Sequence, residues 1–134
     1  MVNMFAYRNN IRITGRPLSP HVLIYAFPPA AISSITVRIT GVGLAAGFAG
    51  AGVMALTGAD IPALMSTVGA SSIGPAAKFV VAFPFTFHYL GGVRHFFWDY
   101  FPENLLTNEK VEMSSFVLFG AALGISGAAA MISF

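Results

Sequence analysis

The chain has 134 residues, of which 56% are hydrophobic and only 9% charged, against roughly 25% charged in an ordinary soluble domain. That composition excludes a water-soluble globular fold, and a net charge of +2 on so apolar a chain gives no footing for nucleic acid. With no cysteine, disulfides, thiolate zinc sites, iron–sulfur clusters and covalently attached c-type haem are excluded as well, so any metal must be held by nitrogen or oxygen.

Residues 1–28 read as an N-terminal segment. Arg8, Arg12 and Arg16 precede the first acidic residue, Asp60, which gives the segment the look of a transit peptide. It runs directly into a Pro-rich stretch, however, and is taken as a mature tail. A first membrane span is expected over about 30–58. Ile39 to Ala59 is 21 residues without a charge, enough at 1.5 Å per residue to cover a bilayer core of about 30 Å. The stretch Ile61 to Ser72, bounded by Gly58 and Gly74, is the candidate for a short interfacial helix.

Gly74-Pro75 then reads as a helix start, with Pro at the first helical position, and opens a second span over about 75–98. This span carries Lys78, Pro84, His88, Arg94 and His95, and polar groups at such depth are expensive unless paired or functional. The third span, about 113–134, is uncharged from Met113 to Phe134. The expected fold is all-α: residues 29–134 form an integral membrane bundle of three transmembrane helices, preceded by the N-terminal segment. Orientation follows from the basic residues. Arg8, Arg12, Arg16, Arg38, Arg94 and Lys110 fall on one side and Lys78 alone on the other, which puts the N-terminus inside and the C-terminus outside.

Gly41-Val42-Gly43-Leu44-Ala45-Ala46-Gly47 has the spacing of a dinucleotide fingerprint, but that motif needs a strand before it, and here it opens a membrane helix. Small-xxx-small packing is the better reading. Gly43 with Gly47, and Ala46 with Gly50, flatten two helix faces for another backbone, and Gly120, Gly124 and Ala128 repeat the pattern in the third span. The phenylalanines are assigned to lipid contact or core filling.

His88 stands in the middle of the second span, and a neutral imidazole is a common axial ligand for haem iron. Pro84 and Gly92, one turn away on either side, keep the surface around it low enough for a flat macrocycle. His95, seven residues on, shares nearly the same face about 10.5 Å along the axis, and Arg94 supplies a charge suited to carboxylates. A second reading stands beside this one, in which His88 bonds a neighbouring helix and Arg94 and His95 mark the membrane interface. Ser34 and Arg38 share a helical face at the inner boundary of the first span. They could hydrogen-bond the carbonyl of a lipophilic quinone or anchor the helix to headgroups.

Three motifs in order make a specific combination: Arg16-Pro17-Leu18-Ser19-Pro20-His21 with Ile24-Tyr25; Ser34-Ile35-Thr36-Val37-Arg38-Ile39-Thr40-Gly41; and His88 with Gly92-Val93-Arg94-His95 and Trp98-Asp99. Together they resemble the large cytochrome b anchor subunit of succinate dehydrogenase, respiratory complex II. The resemblance implies a subunit that pairs with a smaller membrane anchor beneath an iron–sulfur subunit and a flavoprotein subunit. Flavin and iron–sulfur centres would lie on those partners, so this chain alone would hold no complete active site.

It further implies a b-type haem shared with the small anchor, with His88 as axial ligand and His95, Arg38 and Arg94 near its propionates. Ser34 and Arg38 would help form the ubiquinone site. Residues 1–28 would dock in extended form on the iron–sulfur subunit from the matrix side of the mitochondrial inner membrane, the bacterial plasma membrane being the other setting. The family commonly has a histidine where this chain has Val37, so one propionate partner is absent. A non-catalytic structural subunit of a respiratory membrane complex, without haem, is the alternative of a different class.

Overall fold

The computed structural model describes residues 15–16, 19–21 and 24–132, which contain five helices and no strand. Most of the N-terminal segment expected to dock on a partner lies outside them. The helices are α1 (Pro29–Leu56), α2 (Ile61–Ala70), α3 (Gly74–Tyr100), the single turn α4 (Pro102–Leu105) and α5 (Asn108–Met131).

Their boundaries follow from local chemistry. Pro28 is extended, with φ −69° and ψ 155°, and Pro29 opens α1, where a missing backbone donor costs nothing. At the other end Gly58 takes φ +85°, while the amides of Gly58 and Ala59 donate to the carbonyls of Ala55 and Met54. This is the Schellman closure that favours glycine at that position. The Asp60 side chain accepts from the Ala63 amide at 3.0 Å and caps α2, satisfying one of its orphan donors. The turn into α3 is so tight that a Cβ on Gly74 would collide with the Gly69 carbonyl.

α1 and α5 are each long and apolar enough to cross a membrane. α3 is as long, at 27 residues, but its Lys78, His88, Arg94, His95 and Asp99 keep it below that mark on hydropathy alone. α5 begins at Asn108, ahead of the uncharged stretch, because Glu109, Lys110 and Glu112 extend it toward the polar end. α3 packs chiefly against α5 and then α1, α1 and α5 also touch, and α2 leans on α3.

The core is small: Phe87, Leu118 and Ala122 are buried, with Val37, Phe83, Leu90 and Phe119 packed around them. Phe79, Phe83 and Phe87 recur every fourth residue and form a ridge along α3, with ring centroids 5.8 and 5.5 Å apart, and Phe87 meets Phe119 of α5 at 4.8 Å. Most other large apolar side chains face outward, among them Ile39, Val42, Phe48, Phe96 and Phe116, each more than 60% exposed. A polar seam and an apolar exterior are what a hydrocarbon solvent selects, since lipid offers no reason to bury leucine.

Candidate functional site

The strongest polar cluster joins all three long helices. Ser33 of α1 and Ser115 of α5 are both completely buried, their hydroxyl oxygens 3.0 Å apart. The guanidinium of Arg94 on α3 reaches between them. Its Nη1 donates to Ser115 Oγ at 3.1 Å and to Ser33 Oγ at 3.3 Å, and its Nη2 donates to Ser33 Oγ at 3.2 Å.

Each hydroxyl has one proton to give, and each lies within reach of a carbonyl of its own helix. Ser33 Oγ is 3.0 Å from the Ala30 oxygen, and Ser115 Oγ is 2.7 Å from the Val111 oxygen. With the protons turned there, the lone pairs face the cation. The Arg94 Cζ also stands 4.5 Å from the centre of the Trp98 ring, a cation–π contact, while its buried Nε has no hydrogen-bond partner. No carboxylate joins the cluster among the described residues.

His88 meets α1 one and a half turns further along. Its Nδ1 lies 2.9 Å from the Val37 carbonyl oxygen. A carbonyl can only accept, so Nδ1 carries the proton, and the lone pair of Nε2 is left uncommitted. The imidazole rests on Gly41: a Cβ there would stand 2.6 Å from Cε1 and 3.0 Å from Nδ1. Beside it Val37 fills the space over Gly91, where a Cβ would come within 2.6 Å of Val37 Cγ2. Otherwise His88 is exposed. A tautomer-fixed, exposed imidazole of this kind is a ready ligand for a metal centre brought up from outside the chain.

The residues singled out in the sequence thus fall into separate places. His95 is exposed on the His88 face of α3 and meets the Trp98 ring edge-on, with centroids 5.2 Å apart. Arg94 turns inward to the serines. On α1, Ser34 is half-buried and Arg38 exposed, one turn apart on one face. A groove of about 520 Å³ opens between α3 and α5, lined by Leu90, Arg94, Trp98, Lys110 and Leu118 among others. It lies across α3 from His88, and neither Ser34 nor Arg38 reaches it.

Ser33 and Ser115 were missed in the sequence, where each is half of a Ser-Ser pair. The available signal was the spacing of small and polar residues, Ser33, Thr40 and Gly41 in α1 and Ser115, Ala122 and Ser126 in α5, which marks the inward faces of the two helices.

Comparison with known proteins gives a consistent result. Residues 12–129 match the family described as the succinate dehydrogenase/fumarate reductase transmembrane subunit. The mitochondrial succinate dehydrogenase cytochrome b560 subunit of Dictyostelium discoideum is 38% identical over 130 residues, covering 94% of this chain and 67% of that protein. The corresponding Homo sapiens subunit is 34% identical, covering 88% and 72%. The Paracoccus denitrificans cytochrome b556 subunit is 39% identical, covering 63% and 68%. A match across most of the chain, together with identities above 30%, establishes that the chain belongs to the succinate dehydrogenase/fumarate reductase transmembrane subunit family.

Proposed function

We propose that the chain is a membrane-anchor subunit of a succinate:ubiquinone oxidoreductase of the mitochondrial inner membrane. It crosses the membrane three times, with its N-terminal side in the matrix. There it pairs with a smaller anchor beneath an iron–sulfur and a flavoprotein subunit and contributes one side of a b-type haem site and part of the quinone-reduction site. The third crossing is α3. Its low hydropathy is offset because its most polar inward group, Arg94, bonds to neighbouring helices rather than facing lipid, as intramembrane arginines generally must.

The observation that carries the reading is His88. Its imidazole fits an iron ligand: the Val37 carbonyl holds Nδ1–H, Nε2 keeps its lone pair, and the side chain is exposed toward where a partner would close the site. This is the arrangement by which outer hydrogen bonds orient ligating histidines. When bound, haem b supplies a one-electron redox centre. His88 would hold the iron, His95 and Arg38 would face the propionates, and Arg94 would add positive charge behind them. Val37, which lacks a propionate-binding side chain, contributes instead through its backbone oxygen.

Arg38 would donate from its guanidinium to a quinone carbonyl oxygen and polarise it. Ser34, one turn earlier, would donate a second hydrogen bond as that oxygen gains charge. Neither residue lines the groove between α3 and α5, and the opposite wall of the site would belong to partners. A second reading, a structural subunit without haem, is favoured by one observation: Arg94, expected toward propionates, is engaged by Ser33 and Ser115.

One set of variants in the assembled complex separates these readings. A charge-assisted hydrogen bond is worth about 1.5–3 kcal/mol, so Arg38→Leu and Ser34→Ala should weaken quinone reduction by roughly 10- to 150-fold. Succinate oxidation by a soluble artificial acceptor, which bypasses the membrane site, should stay near normal. In the same preparation His88→Ala should abolish the b-type signal in the reduced-minus-oxidised spectrum. Unchanged haem content in His88→Ala, or full quinone activity in both other variants, would remove those residues from their roles.

A further inference from the structure

α1 poses a packing problem that its sequence does not solve. Its apolar side chains cover the whole circumference, and Ile32, Ile35, Ile39, Val42 and Phe48 are all exposed. Its only buried residues are Ser33 and Thr40. In a membrane, helices gain nothing by turning one leucine inward rather than another, so no apolar stripe selects the rotation of α1 about its own axis. Four contacts with α3 remain to select it: Ser33 with Arg94, the Val37 carbonyl with His88 Nδ1, Val37 over Gly91, and Gly41 under His88. Thr40 does not contribute, because its hydroxyl bonds carbonyls of α1 itself, those of Thr36 and Val37.

Of the four, the two hydrogen bonds are directional, but the carbonyl that His88 meets points nearly along the axis of α1 and constrains its rotation less than the radially projecting Ser33 side chain does. Val37 and Gly41 fix how closely the helices approach. The fork of Arg94, seated on Ser33 and braced by Ser115, fixes the angle. Ser34 is the next residue after Ser33, rotated about 100° around the axis, and Arg38 lies one turn beyond it. The setting of Ser33 is therefore the setting of Ser34 and Arg38.

We propose that Arg94 and Ser115 are positioning residues for quinone reduction. With Ser33 they form a three-helix clamp that holds α1 in the rotation at which Ser34 and Arg38 face the quinone. The inference rests on the assignment of Ser34 and Arg38 to the quinone site. It gives Ser115, on a different helix from both, a role in substrate affinity that neither its burial nor its own hydrogen bond to Val111 requires.

The test is made in the assembled complex with Ser115→Ala, which deletes one hydroxyl and leaves the volume of a buried site nearly unchanged. The apparent KM for quinone should rise by roughly 3- to 10-fold, at or below what one hydrogen bond to a charged group supplies. Haem content and turnover with the artificial acceptor should hold. Arg94→Lys should raise KM further, because a single ammonium cannot bridge two hydroxyls as the planar fork does.

A second readout is independent of activity. The chain has no cysteine, so a cysteine placed at the half-buried Val37 reports the α1–α3 seam, and its labelling by a membrane-permeant maleimide should accelerate when Ser115→Ala is added. An unchanged quinone KM in Ser115→Ala, while Ser34→Ala and Arg38→Leu are impaired, overturns the clamp and leaves the quinone site standing. Full quinone activity in Ser34→Ala and Arg38→Leu overturns both. Loss of haem or of artificial-acceptor turnover in Ser115→Ala makes the residue one of folding, and overturns the clamp as well.

Discussion

At the scale of single residues, the geometry turns on two glycines whose missing side chains are filled by specific neighbours. Gly41 accommodates the His88 ring and Gly91 accommodates Val37. At Gly41 two effects compete. Alanine is intrinsically better in a helix than glycine, by about 1 kcal/mol, so α1 itself would gain. Its Cβ, however, would stand 2.6 Å from Cε1 of a ring already tied to the Val37 carbonyl. The ring can clear it only by giving up that bond. Gly41→Ala is therefore expected to leave the helices intact by circular dichroism while lowering the haem retained by the purified complex at least several-fold, measured as pyridine haemochrome per subunit. Full haem retention would show that the ring has another resting place.

The long helices were legible in the sequence because their signals are local. An uncharged run marks a span, Pro29 and Pro75 mark starts, and Gly58 marks an end. The facing of each helix was much less legible. α1 and α5 are apolar all round, so periodicity assigns no inner face, and the small-residue stripes of Gly43 and Gly47 or Gly120 and Gly124 read as packing faces. Inside the chain, though, a Cβ at any of these four meets nothing within 4 Å, and the seams actually used run through Ser33, Val37 and Gly41 and through Ser115, Ala122 and Ser126. Likewise Arg94 and His95 are adjacent in sequence, which hid that one turns into the bundle and the other out.

The order of the helices does carry a testable consequence at this scale. Lys78, near the start of α3, donates to the Ile132 carbonyl beyond the end of α5 at 2.9 Å, whereas Lys110 bonds the Asn104 carbonyl at the opposite end of the bundle. These ends should face opposite sides of the membrane. With the excess of basic residues on the N-terminal side, a cysteine at Glu103 should react with an impermeant maleimide from the matrix face and one at Ser71 from the other. The reverse pattern would invert the topology.

For the molecule as a whole, what stays uncovered is as telling as what is packed. From Ala45 to the end of α1 every residue is exposed, so nearly half of that helix buries no side chain within the chain. His88 is exposed although it is the most chemically capable side chain of α3, and the glycine stripes of α1 and α5 face away from the bundle. Lipid alone could cover apolar side chains. It gains nothing from glycine, whereas a second helix does, because backbones approach closely only where side chains are missing.

Gly43→Leu combined with Gly47→Leu decides between the two. Within this chain the new side chains have open space, so its own helices should form unchanged. Against a partner helix seated on that face they would force a separation, at a cost of about 1–3 kcal/mol for overpacking. The expected result is normal insertion and helicity of the chain, with the yield of assembled, haem-containing complex falling by roughly fivefold or more. Assembly at the normal level would mean that lipid covers this face, and would move the partner's contact to the other side of α1.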